Sequence, residues 1–312
     1  MTQTGDMSRA RSEAPRRWAG GELLLVAWLC LMLALATGCA SRAASASAGA
    51  PSIALTIQNK GSDTLVNLAL AWAELYMSAY PEISISVTGG GTGTGIAALL
   101  NGTVDIANAS RQIKAEEYSA AEAAGIFQVE FTVARDAIAV VVNPANPITQ
   151  LTLQQISDIY TGKITNWRQV GGLDRPIVLL SRESNSGTYV YFLEQVIRLG
   201  KKSDLLFSPD TLLMPSSEGI SAEVRQNPNA IGYDGLGYVT ADQKMIAVAR
   251  DPHGPYVLPA IATVNDGSYP VARPLYMYTA GEPAGTIRAY LDWVLGDGQD
   301  LVGKLGFVPL ER

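Results

Sequence analysis

Hydrophobic and polar positions follow two rhythms along this chain. Short runs with apolar residues at alternate places or in unbroken blocks, at 53–57, 83–87, 104–107, 137–142, 177–180 and 230–233, read as strands. Longer runs at 64–80, 153–161, 186–199 and 284–295 carry apolar residues at helical spacing; Leu65, Leu68, Ala69, Trp72, Leu75 and Tyr76 illustrate it. Thr152-Leu153-Gln154-Gln155 has the spacing of a capping box, which places a helix start there. Strands that alternate with helices predict an α/β fold. The proline-containing stretch 143–147 follows a run apolar enough to be buried, and is a candidate for the passage from one lobe to another. No internal repeat is visible.

Glycine and hydroxyl residues cluster where three of the helices begin. Gly61-Ser62-Asp63-Thr64 leads into the first helix, the glycine-rich 89–95 segment leads into Ile96-Ala97-Ala98-Leu99-Leu100, and Arg182-Glu183-Ser184-Asn185-Ser186-Gly187-Thr188 leads into a third. The free N–H groups of a helix's first turn point forward, and the helix dipole favours negative charge there. Serine and threonine add donors, glycine lets the backbone approach, and Arg182 adds a fixed positive charge. Recurrence of the device suggests one anion gripped from several sides. Asp105-Ile106-Ala107-Asn108-Ala109-Ser110-Arg111 supplies another polar strand end, with a second arginine.

Each of these residues also has a plainer reading. Arg182 suits an ion pair with Glu183 or Asp174, Arg111 suits solvent, and Asp63 suits a helix cap. Trp72, Trp167, Trp293 and Tyr233 suit the core.

The N-terminus carries Arg9, Arg11, Arg16 and Arg17 before an uncharged stretch from Leu23 to Ala36, which ends in Leu35-Ala36-Thr37-Gly38-Cys39. This is the pattern of a secretory signal with a lipoprotein-type cleavage site, Cys39 being the lipidated residue. A fourteen-residue apolar run is short for a membrane span, which takes about 20 residues; an uncleaved anchor is the alternative. Residues 1–38 would then be the signal and 39–52, rich in alanine and serine, a flexible tether. Cleavage would remove the other cysteine, Cys30, and with it any disulfide.

Removing that signal takes four of the 23 basic and three of the 29 acidic residues, leaving 19 against 26. An acidic surface argues against nucleic acid as a partner. It leaves a small anion open, because helix ends and hydroxyl dipoles hold one with few full counter-charges. The sequence is poor in catalytic signals. It has no Gly-x-Ser-x-Gly, its single histidine, His253, lies in a proline-rich loop, and its glycine loop lacks the Gly-Lys-Ser/Thr ending of a nucleotide site. One histidine and a lipidated cysteine leave little for a transition metal. Neither an enzyme nor a metal or other cofactor is expected.

In this order the motifs resemble the PstS family, the phosphate-binding proteins of bacterial phosphate ABC importers. The resemblance runs from about residue 53 to the end. It includes the turns already named, the segment LQQISDIYTGKITNW at 153–167, Asn229-Ala230-Ile231-Gly232-Tyr233, Arg273-Pro274-Leu275-Tyr276-Met277-Tyr278 and the terminal Leu305-Gly306-Phe307-Val308-Pro309-Leu310. It implies a two-lobed type II periplasmic-binding fold with a hinge and an anion site between lobes, expected here as 53–137 plus 238–312 and as 138–237. It also implies inorganic phosphate as ligand, the membrane permease and ATPase of an ABC importer as partners, and a monomer held by its lipid outside the cytoplasmic membrane. Receptors for sulfate or molybdate, and a phosphate sensor, are the alternatives.

Carried over by position, the resemblance offers Ser62, Asp63, Thr64 and the amide of Leu65 from the first turn, and Thr92 and Gly93 from the glycine loop. Ser110 and Arg111 come from the strand end, and Arg182, Ser186, Gly187 and Thr188 from the third turn. In part of the family an aspartate stands where this chain has Arg111 and accepts the proton that phosphate carries and sulfate lacks. Here the acceptor must come from elsewhere, with Asp63 the first candidate and Glu183 the second; Glu183 is alternatively only an orienting partner of Arg182.

Overall fold

The computed structural model describes residues 55–311; the expected signal, the tether and Cys39 lie outside the described residues. The first strand, β1 (Leu55–Gly61), continues four residues beyond the sequence expectation and lies parallel to β2 (Ile83–Thr88) and β3 (Ile106–Ala109). Helix α1 (Asp63–Ala79) connects β1 to β2 and buries Leu65, Leu68, Ala69, Trp72, Ala73 and Tyr76 on one face. Of these, Leu65, Leu68, Trp72, Ala73 and Tyr76 pack with Ile57, Ile83 and Ile85 into the core of the first half of the molecule. The Trp72 indole N–H donates to the Gly298 carbonyl at 2.7 Å, so the largest side chain in this core leaves no unsatisfied donor. Two further helices, α2 (Thr92–Leu100) and α3 (Ala115–Ala123), follow β2 and β3.

The long strand β4 (Gln128–Val142) joins the halves. Up to Ala137 it pairs antiparallel with β11 (Ala272–Ala280), and from Ile138 onward with β8 (Ala230–Gly235). Beyond β8 come β6 (Val178–Arg182) and the edge strand β7 (Leu212–Met214), both parallel. The sheet order is therefore β2-β1-β3-β11-β4-β8-β6-β7. Residues 137–142 are wholly buried, with cores on both faces, which explains why this run is apolar without alternation.

The core of the second half collects Ile156, Ile159 and Tyr160 of α4 (Leu153–Tyr160), together with Trp167, Phe192 and Tyr233. Phe192 lies on α5 (Gly187–Phe192), which runs straight into a π-helical turn, Leu193–Ile197. Its ring stacks on Tyr233 with centroids 3.7 Å apart. Trp72, Trp167 and Tyr233 are thus core residues, in line with their plainer reading. Thr152 caps α4 with the capping-box bonds the sequence suggests. Strands β9 (Lys244–Met245) and β10 (Ala247–Ala249) pair with β4 and with β5 (Gln150–Thr152), and Ile246, Val248, Val264, Tyr269 and Val271 join this same core. Among the described residues no helix is long and apolar enough to cross a membrane.

Candidate functional site

Three helix starts meet where the two halves of the sheet face each other: α1 at Asp63, α2 at Thr92 and α5 at Gly187. The first of these turns depends on Gly61. A side chain there would stand 2.1 Å from the Asn108 carbonyl oxygen, and the backbone has φ +146°. Without that constraint the Ser62 amide reaches Asn108 O, at 2.9 Å, and α1 begins beside the end of β3. Gly187 is required for a different reason. A Cβ on it would come within 2.5 Å of both the Ser110 and Thr92 hydroxyls, so those two oxygens press directly on the first residue of α5.

The hydroxyl groups form two pairs at the junction. Thr64 Oγ1 lies 2.8 Å from Thr188 Oγ1, and Arg273 donates from one nitrogen to both, at 3.3 and 2.8 Å. The Ser110 amide donates to Thr92 Oγ1 at 3.1 Å. The backbone takes part as well: the Gly93 amide donates to Asn185 O at 3.0 Å, and the Asn185 side chain donates back to Gly90 O at 3.0 Å. Ser186 serves as the cap of α5, accepting from the amides of Thr188 and Tyr189. The Leu65 amide bonds Ser62 O within the first turn at 3.0 Å, while the Leu65 side chain is core.

Arg182 is buried at the end of β6 and donates to Asp63 Oδ2 at 2.7 Å, to Pro215 O at 3.0 Å and to Ser217 Oγ at 3.3 Å. Neither Glu183 nor Asp174 is its partner, since Glu183 is exposed and Asp174 pairs with Arg168. Asp63 does not cap its own helix. Its other oxygen accepts the Gly90 amide at 2.9 Å, so the carboxylate links the glycine loop to the buried arginine. Arg111 is buried too, but its guanidinium is turned onto Glu117, with two bonds of 2.7 Å.

Three guanidiniums therefore surround the helix starts, each beside a carboxylate: Arg182 with Asp63, Arg111 with Glu117, and Arg273 with Asp136 at 3.1 Å. Burial pushes the Asp136 carboxyl up and the Arg273 guanidinium down, and their mutual attraction opposes both. Glu117 goes the other way: burial would raise it, but the Arg111 bonds and the Lys114 amide outweigh that and hold it below the carboxylate range. Asp234, fully buried on β8, is raised to about 7 by burial, against the pull of Ser217 and of the Arg182 charge. With the pairs cancelling, what faces an incoming group is a set of hydroxyl, amide and helix dipoles. Such a set suits a small oxyanion. Among the described residues no three His, Cys, Asp or Glu side chains are placed to hold a metal ion.

The structure thus brings Asp63, Thr64, Thr92, Gly93, Ser110, Arg182, Ser186, Gly187 and Thr188 together, with Ser62 buried beside them. Sequence reasoning missed Asn185, Glu117, Asp136, Asp234 and Arg273 as parts of the site. Arg273 stood in a motif without a role, and the proline after it obscured the strand that carries it.

The chain matches the model of the PBP superfamily domain over residues 45–298. It is similar to the phosphate-binding protein PstS of Pseudomonas aeruginosa, 34% identical over 272 residues that cover 81% of this chain and 83% of that one. Among solved structures it is similar to a Clostridium perfringens protein determined with bound phosphate (TM-score 0.74, 33% identity, 82% of this chain and 100% of that one). It is also similar to an ABC-type phosphate transport receptor of Vibrio cholerae (TM-score 0.64, 30% identity, 81% and 100%). The α/β architecture expected from the sequence is that of the type II periplasmic-binding proteins.

Proposed function

From the premise that this chain belongs to the PstS family of phosphate-binding proteins, we propose that it binds inorganic phosphate outside the cytoplasm and delivers it to the permease and ATPase of an ABC importer. The observation that carries the reading is the meeting of three helix starts, with two hydroxyl pairs around them, Thr64 with Thr188 and Thr92 with Ser110. A phosphate among them would receive donors from several sides, with Arg182 and Arg273 behind them as paired charges. Thr64, Thr92, Gly93, Ser110, Gly187 and Thr188 are the proposed contacts, together with Ser62 and Asp63. Ser186 acts by capping α5, and Leu65 only through the backbone of the turn.

Capture is by closure of two lobes, with the hinge passing where β4 changes partner between Ala137 and Ile138. The packing supports one adjustment to the expected division: residues 244–271 move with the second lobe. Acylation at Cys39 holds the protein at the membrane surface. Intact-mass measurement of membrane-extracted protein should show the lipid, and Cys39→Ser should abolish it; an unmodified Cys39 would remove the anchor.

The test of ligand is calorimetric titration with phosphate, arsenate, sulfate and molybdate. One phosphate bound per chain and returned unchanged, with sulfate and molybdate much weaker, is expected. Preference for sulfate or molybdate would replace phosphate by that oxyanion, and turnover of a phosphorylated compound would point to an enzyme.

A further inference from the structure

Arg111 stands immediately after Ser110, yet its guanidinium is drawn away from the hydroxyl groups and onto Glu117. Nη1 and Nη2 donate one bond each to the two oxygens of Glu117, and Nη1 also reaches Gln112 O at 2.8 Å. Its stem stays close to the site. A Cβ on Gly187 would lie 3.2 Å from Arg111 Cγ, and a Cβ on Gly93 would lie 3.8 Å from Nη2. The charge is therefore held beside the starts of α2 and α5, where helix dipoles already favour anions. The Nε–H is buried without a partner, so the guanidinium is fixed entirely from its far end.

Glu117 is placed for this from its own helix. It is the third residue of α3, and Oε2 also accepts the Lys114 amide at 2.9 Å, which locks its rotamer into the helix's first turn. Beyond the pair is a cavity of about 380 Å³, lined in part by Arg111, Lys114, Arg273, Tyr191 and Glu194. A guanidinium released from Glu117 has space to move there.

We propose that Glu117 is a specificity-determining residue: by neutralising and fixing Arg111 it keeps an uncancelled positive charge off the anion site, and so prevents indiscriminate binding of dianions. The proposal rests on the phosphate reading of the site. A dianion such as sulfate gains more from an added positive charge than the phosphate monoanion does. A site that selects by hydrogen bonding to the ligand's proton must therefore keep its net charge low.

The test is calorimetric titration of the full-length chain with phosphate and with sulfate, at slightly acid pH where phosphate is chiefly the monoanion. Glu117→Gln keeps an acceptor for the Lys114 amide and removes the charge; it should strengthen sulfate binding by about tenfold more than phosphate binding, the order of one added unit charge in a medium of effective dielectric about 20. Arg111→Gln should weaken both anions, because Glu117 is then left uncancelled. The double variant, neutral at both positions, should return to the wild-type ratio. Glu117→Asp, which keeps the charge, should also hold that ratio. The proposal is overturned if Glu117→Gln leaves the ratio unchanged, if the double variant keeps the raised ratio of Glu117→Gln instead of returning to that of the wild type, or if the aspartate variant loses selectivity as the glutamine variant does. Failure of the wild-type chain to bind phosphate would instead overturn the phosphate reading.

Discussion

Asp63 and Arg182 are 119 positions apart in sequence and 2.7 Å apart in space. The pair settles what Arg182 rests on, and it changes what can be expected of Asp63. A carboxylate that accepts from a guanidinium and from the Gly90 amide is fixed in place and aimed away from its own helix. Its remaining lone pairs are available to a ligand hydroxyl. Phosphate at neutral pH supplies one, and sulfate supplies only repulsion. We therefore expect Asp63→Asn to narrow the gap between phosphate and sulfate affinity by roughly 10- to 100-fold, which is the worth of one hydrogen bond to a charged group (about 1.5–3 kcal/mol). Arg182 would keep its bonds to Pro215 and Ser217, so the fold should survive. Competition titration with the two anions reads the ratio; an unchanged ratio would leave Asp63 as Arg182's counter-ion alone. Glu183, the other candidate acceptor, is exposed, and Glu183→Gln should leave the ratio as it was.

At the scale of elements, legibility followed burial. The second half of β4 reads from sequence because both its faces are covered and every residue from Ala137 to Val142 is apolar. Its first half, with polar residues interspersed and partly exposed, does not read. Strand β11 was hidden by Arg273-Pro274. Proline is tolerated there because β3 pairs with β11 only at Tyr276–Tyr278, leaving the Pro274 edge with β4 as its neighbour. The glycine and hydroxyl turns were legible because their chemistry is local. Asp136 and Asp234 were not, because the charges that face them, Arg273 and Arg182, come from distant elements and leave no local pattern.

Asp234 shows what such a hidden group does to stability. It sits on β8 beside β6, and its folded pKa of about 7 stands above the unfolded value of about 3.9. Between these values the native state holds a proton that the unfolded chain has released, so stability falls as pH rises through roughly 4 to 7 and levels off above. Asp234→Asn keeps an acceptor for the Gly235 amide and has no proton to lose. Relative to wild type it should gain stability across that window, by ~2–4 kcal/mol at the upper end. Urea unfolding at a series of pH values reads the difference, and parallel curves for the two proteins would show that Asp234 ionises normally.

For the whole molecule, the contacts that span the site join residues from different parts of the sheet. Asp63, Thr64, Gly90 and Gly93 lie on the β1–β2–β3 side, and Arg182, Asn185 and Thr188 on the β6–β8 side. Three of these links are bonds between small polar groups or backbone, and one is an ion pair. Little apolar surface is engaged among them, so the junction has few contacts that would hold it together in water without a ligand. An oxyanion that accepts donors from both sides binds only when they are close together, and by linkage it shifts the population towards that state. Small-angle scattering of the chain with and without phosphate should accordingly show a smaller radius of gyration when phosphate is bound. Arg182→Ala, which removes the cross-junction ion pair, should weaken phosphate binding by tens- to thousands-fold, as loss of one partner from a buried pair costs about 2–5 kcal/mol. It should also remain expanded at phosphate concentrations that close the wild type. A radius that does not change while calorimetry on the same sample confirms binding would mean that the anion enters a site already formed, and the hinge at Ala137 and Ile138 would have no part in capture.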